Sequence, residues 1–572
     1  MTATPTRPIG TVSRIRRRPS VFMVVAFAAG ILMAVTIIGP LVGMLVRLFT
    51  GTEENPFEQA LQLPELGATL LNTAILVVIT LPIGLVIGSF FAWLNERTNA
   101  RMGWLSNALP LIPLMLPPIA SAIGWVFLLS PRAGTLNVAL RGLFGLTEDE
   151  GPFNIFTWPG MIFLYVVELI PVVYLVVSAG LRNVDPALEH AARVSGAGPL
   201  RTLFRVTLPA IKPSLAAAGW LGVTVCLGLY SVPSIIGGTA GIPVLSTTIV
   251  ALLNRTYPPQ TQVAVVLGLV LLFGIGVAWV IQRLIVRGGH FASVGGKGMR
   301  ASRVDLGGLV WPARILMLLF LAVATVLPVL GLLLVSLQKF WSATVDWGAL
   351  TLDNYVTVLI VNAQTQQALW NSIRLGVMGA TVAVVIALLV AILMQQRPGR
   401  FSTALDAIVK LPSAFSHIII ALAILLAFAG PPFGLSGTIW ILLIAYVVLY
   451  LPQASIASGA TVMQVDRQLI EAAHTAGAGP AATNARILFP LALPGLAGAW
   501  TLVFVYMAGD LTASVLLAGT QTPTVGYIIL NQFETGTYPS IAAISIVVTV
   551  VFSAIVLTML RVTRGRFARA LE

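Results

Sequence analysis

Twelve apolar runs, each long enough to cross a lipid bilayer, constrain this chain more than any other feature of its sequence. They lie near residues 21–48, 68–94, 105–130, 158–180, 214–236 and 262–286, and then near 312–337, 370–394, 408–429, 436–459, 495–518 and 540–560. A helical span needs about 20 apolar residues, so the pattern predicts an all-α polytopic membrane protein. Only 9% of the 572 residues are charged, against roughly 25% in a soluble protein. No stretch is left for a large soluble domain, which argues against an enzyme and against a chain that carries its own ATP-hydrolysing module.

The first run follows the basic cluster Arg14, Arg16, Arg17 and Arg18. It exceeds the apolar core of a signal peptide, about 7–15 residues, and reads as a retained helix. With the N-terminus placed in the cytoplasm, 27 of the 33 Lys and Arg residues fall on that side. Arg47, Arg132, Arg141, Arg255, Lys339 and Arg374 are the exceptions. Such a bias predicts cytoplasmic N- and C-termini. It also accounts for the net charge of +13 without nucleic acid as a partner. The single cysteine, Cys226, leaves no means of forming an intrachain disulfide or a cysteine metal cluster.

The runs form two sets of six, and the sequence repeats. Pro171, Asp185, Ala191-Ala192, Gly196, Pro209, Pro213 and Tyr257-Pro258 recur 281 residues later as Pro452, Asp466, Ala472-Ala473, Gly477, Pro490, Pro494 and Tyr538-Pro539. Upstream, Asn72 pairs with Asn371 and Pro113 with Pro412 at an offset of 299, so the first half holds 18 extra residues, placed in the outer loop 131–152. An even number of spans per half makes the repeat parallel rather than inverted. The expected organisation is a basic N-terminus 1–20, a six-span domain 21–287, a Gly-rich cytoplasmic linker 288–311, a second six-span domain 312–562 and a C-terminal segment 563–572.

The best-matched segment is the cytoplasmic connection after the fourth span of each half. In the first, Asp185 can cap a helix with Pro186 at its first position. Gly196 suits a left-handed stop, and Gly198-Pro199 opens a second short helix ending near Pro209. The product is a helix, a sharp bend and a second helix just outside the membrane, with a small Ala pair that lets a partner approach closely.

These loops resemble the signature of binding-protein-dependent ABC importer permeases: a cytoplasmic Glu-Ala-Ala, a Gly six residues after the Glu, and a Leu-Pro beyond. The second half has Glu471, Ala472, Ala473, Gly477 and Phe489-Pro490. The first has His190, Ala191, Ala192, Gly196 and Leu208-Pro209, with His190 at the usual Glu position and Glu189 beside it as a substitute acid. The resemblance implies two parallel six-helix repeats, each an ABC type I importer transmembrane domain, in a multi-pass protein of the bacterial cytoplasmic (inner) membrane. It also implies two coupling loops, one ATP-binding subunit under each half, and a periplasmic or extracellular substrate-binding protein. ATP and Mg would be bound by the partner subunits and no cofactor by this chain. The nearest approach to a phosphate-binding loop, Gly296-Lys297, has Phe291 and Gly298 where Gly and a hydroxyl are required.

Within that family the fused halves, the phrase Leu129-Ser130-Pro131-Arg132, and Asp353-Asn354-Tyr355 look most like ferric iron permeases. Thiamine, polyamines, 2-aminoethylphosphonate and sulfate are the alternatives. Glu168 in the fourth span and Asp510 in the eleventh are candidate translocation-path residues, because a charge within lipid is costly. They would be the coupling sites of an ion-coupled secondary transporter, the competing reading, which the parallel repeat and twin loops disfavour. His290 and His417 are isolated, His474 lies in the second loop, and no metal site is expected.

Overall fold

The computed structural model describes residues 21–50, 55–103, 105–106, 112–146, 150–287, 303–396 and 398–571. The basic N-terminus 1–20, most of the linker, His290 and Gly296-Lys297 lie outside the described residues. Among those described, nine helices are long and apolar enough to cross a membrane, or twelve if three bent helix pairs each count as one span. The only extended pairing among them is a single bridge between Thr98 and Val304.

Each half is built around the same helix pair. Helix Leu66–Arg97 packs along Trp158–Arg182, and Ala363–Gln396 packs along Ile439–Met463. The first helix of each half then crosses to the other half. Val21–Phe49 lies on His417–Phe428, and Leu327–Ser336 lies on Pro118–Leu129. That second contact is backbone against backbone: a Cβ on Gly124 would come within 2.5 Å of the Pro328 carbonyl oxygen. The two sequence repeats are therefore interlocked.

Two of the expected spans differ from straight helices in both halves. Among its described residues, the run 105–130 is helical at 105–106 and from Pro118 to Leu129, with a short turn at Pro113–Met115 between them. Its counterpart bends by 107° between Arg400–Ala414 and His417–Phe428. Pro113, Pro117 and Pro118 in one and Pro412 in the other lack the amide that a continuous helix requires.

The fifth span also ends earlier than its apolar run. Its helix stops at Gly228 in the first half and at Ala508 in the second. In the first half a folded-back pair follows, Pro233–Ala240 and Leu245–Asn254, bent by 91°; in the second, Ser514–Leu517 and Val525–Thr535 follow. Non-helical backbone at membrane depth needs partners from the protein, and the same device supplies them twice. Asn72 donates to the Pro243 carbonyl at 3.0 Å and Asn371 to the Pro523 carbonyl at 2.9 Å. The next residue in each helix, Thr73 or Ser372, accepts the amide of Leu245 or Val525 at 3.0 and 2.9 Å.

Candidate functional site

The connections after the fourth span of both halves take the expected helix–bend–helix shape. Asp185 accepts the Ala187 amide at 2.9 Å and Asp466 the Gln468 amide at 3.0 Å, capping helices Pro186–Val194 and Arg467–Thr475. The amides of Ala197 and Ala478 close on the carbonyls of Ala192 and Ala473 at 3.0 and 2.9 Å. Gly196 and Gly477 turn the chain with φ of 83° and 84°, a left-handed conformation that disfavours a Cβ.

The exposed faces differ. Loop 1 presents Ala191 with Leu188, Val194, Leu200 and Phe204, while His190 and Ala192 are half-buried. Loop 2 presents Glu471, Ala472 and Leu469, with Ala473 buried. Where loop 1 carries Val194, Leu200 and Phe204, loop 2 carries Thr475, Ala481 and Ala485. The two surfaces share a backbone but not an apolar content.

Glu189 is not a surface acid in place of His190. It is 2% exposed, 3.4 Å from the Arg97 guanidinium, and accepts the Thr207 hydroxyl at 2.8 Å. One step back along a helix is a turn of about 100°, which carries Glu189 to the inward face that Ile470 occupies in loop 2, where it is also buried. Arg97 continues inward, donating to the carbonyls of Leu181 at 2.6 Å and Val184 at 3.2 Å. Arg97 was not among the expected site residues; its sign in the sequence is an arginine closing an apolar run beside Glu96, with Gln395 and Gln396 at the matching places.

Glu168 and Asp510 come to the same region of the interior, between the halves. Ser121 hydrogen-bonds Glu168, whose carboxyl neighbours Tyr506. Tyr506 stacks on Tyr450 with ring centroids 5.8 Å apart, and Tyr450 donates to Asp510 Oδ2 at 2.7 Å. His417 meets the Tyr450 ring edge-on at 5.3 Å. Asp510 lies beyond its expected helix, in the break after Ala508, where its Oδ1 accepts the amides of Ala513 and Ser514 at 2.9 and 3.2 Å. It is thus a backbone cap as well as a buried carboxylate.

The repeat places Leu449, Leu169, Val225 and Leu229 at the positions equivalent to Glu168, Tyr450, Tyr506 and Asp510, so this chemistry is absent from the symmetric scaffold. Among the described residues neither carboxylate forms an ion pair. Among them, no group of three or more His, Cys, Asp or Glu is placed to hold a metal.

A ferric transport system permease protein of Actinobacillus pleuropneumoniae, FbpB, is 24% identical over 531 residues, covering 91% of this chain and 75% of its own. A molybdenum transport system permease protein of Escherichia coli, ModB, is 32% identical over 196 residues, 33% of this chain and 80% of its own. A solved bacterial ABC transporter for alginate import aligns with 45% of this chain and 96% of its own at a TM-score of 0.38 and 18% identity. The family model described as the inner membrane component of binding-protein-dependent transport systems matches twice, over residues 84–288 and 383–565. Both matches contain a capped helix and glycine bend of the kind described above, and the chain belongs to that family of ABC importer permeases.

Proposed function

We propose that this permease carries a cation, ferric iron, delivered from outside by a binding protein and moved by ATP hydrolysis on two separate subunits docked at the coupling loops. The observation that carries the substrate class is the cluster between the halves. Two carboxylates and three phenols counting Tyr446, with no Lys or Arg paired to either carboxylate among the described residues, make a buried cluster whose ionised form would attract positive charge and repel an oxyanion. The length of the match to a ferric permease supports the same choice. Sulfate is disfavoured by that cluster, and thiamine and a polyamine are the alternative cations.

Docking at the loops is supported by their construction. Two short helices, each capped by Asp and stopped by a left-handed Gly, present Ala191 and Glu471 to Ala472 outward. On this reading both termini are cytoplasmic, His190 to Gly196 and Glu471 to Gly477 are the contacts, and ATP and Mg reside on the partner subunits. The test is uptake of labelled ferric iron into proteoliposomes holding the permease, the ATPase and the loaded binding protein. Uptake that runs on an ion gradient without ATP supports the secondary-transporter reading instead.

A further inference from the structure

We propose that Arg97 is a positioning residue that ties the first coupling helix to the second half of the chain, so that movement of that helix reaches both halves together. This rests on the reading of the loops as ATPase docking sites.

The side chain faces the loop: Arg97 pairs with Glu189 of Pro186–Val194 and donates to the Leu181 and Val184 carbonyls at the end of Trp158–Arg182. Its main chain faces the linker. The Val304 amide donates to the Arg97 carbonyl at 2.8 Å, and the Asn99 amide to the Val304 carbonyl at 3.1 Å. Asn99 then bonds the Asp305 carboxylate through its Nδ2 and accepts the Leu306 amide at 3.1 Å. Arg314, one turn into the following span, donates to the carbonyls of Asn99 and Ala100 at 3.3 Å.

Residues 304–306 lead directly into helix Gly307–Ser336, which lies on Pro118–Leu129 through Gly124 and Pro328. That short helix carries Ser121, the partner of Glu168. A continuous line of hydrogen-bonded and packed contacts thus joins the first coupling helix to the cluster between the halves, through the first span of the opposite half.

Loop 2 is seated differently. Gln396 stands at the place of Arg97 and donates to Asn484, while its neighbour Gln395 reaches the equivalent carbonyls of Val462 and Val465 at 3.2 and 3.4 Å. Ile470 stands at the place of Glu189, and Leu488 at that of Thr207. At the places of the charged Arg97–Glu189 pair and Thr207, loop 2 thus carries an amide, Gln396, and the apolar Ile470 and Leu488.

The experiment rebuilds loop 1 in the manner of loop 2. The triple variant Arg97→Gln, Glu189→Ile, Thr207→Leu keeps a donor for the carbonyls and an apolar seat for the helix. ATPase co-purification and basal ATP hydrolysis are expected to persist, while substrate moved per ATP hydrolysed falls roughly threefold or more. An unchanged ratio overturns the proposal, because a merely structural pair is replaced by the seat that loop 2 already uses. A second arm works on the native pair: Asn99→Cys with Asp305→Cys, oxidised to a disulfide in the assembled complex. Transport should continue with the linker locked, since the joined parts move as one; arrest on oxidation and recovery on reduction overturn it. Failure of the underlying docking reading appears separately, in the unaltered complex, as transport with no ATP requirement.

Discussion

Arg97 and Gln395 each donate to the matched pair of carbonyls at the end of the fourth span, Leu181 and Val184 or Val462 and Val465, from places one residue out of step in the repeat, yet only Arg97 also meets a carboxylate, Glu189, at 3.4 Å. The repeat is thus conserved in its backbone contacts and divergent in the charge laid over them. Both partners of the Arg97–Glu189 pair are 2% exposed. An isolated buried charge is more costly than a buried pair.

Removing one partner should therefore be worse than removing both. Arg97→Ala alone is expected to cost about 3–5 kcal/mol, seen as a lower unfolding temperature in detergent. Arg97→Gln with Glu189→Ile should recover most of that loss. Additive effects of the single changes would contradict the coupling of the two side chains.

The folded-back segments after the fifth spans depend on Asn72 and Asn371. Replacing either by Ala leaves a carbonyl without its donor, at a cost of about 1–3 kcal/mol. Hydrogen exchange should rise in Leu245–Asn254 for Asn72→Ala and in Val525–Thr535 for Asn371→Ala. Unchanged protection of the segment on the mutated side contradicts this role.

At the coupling loops, Gly477→Pro and Glu471→Lys should each release the ATPase from the solubilised complex while helical content stays at the parent level. The first breaks a turn with φ of 84°, which proline cannot adopt. The second reverses an exposed charge. Retained co-purification with both changes counts against docking at loop 2.

Glu168→Gln tests the proposed attraction of a cation to the buried cluster without altering shape. Uptake is expected to fall about tenfold, equivalent to about 1.4 kcal/mol, with ATPase binding intact. Asp510→Asn keeps an acceptor for the Ala513 and Ser514 amides and should fold, whereas Asp510→Ala should lose the turn as well as the charge. Equal uptake by the Asn and parent proteins would mean that Asp510 serves the backbone alone.

Much of this was legible in the residues. The apolar runs located the spans, and two loops with identical spacing of Asp, Ala-Ala and Gly revealed the repeat because turns and caps are local features. Asn72 and Asn371 were recognised as matched positions, but their purpose was hidden, since their carbonyl partners lie 171 and 152 residues away. The run ending near 518 concealed the break at Asp510 because apolar composition does not distinguish a span from a folded-back segment shielded by protein. Glu189 was read as an outward acid because its neighbour His190 holds the usual acidic position. Its inward face follows from helical rotation and from Arg97, a residue distant in sequence.

The most direct test of the account is ATP-dependent uptake of ferric iron by the reconstituted permease with its ATPase and binding protein. The account predicts uptake that needs both partners and ATP, and that Glu168→Gln diminishes. Uptake sustained by an ion gradient in the permease alone would contradict it.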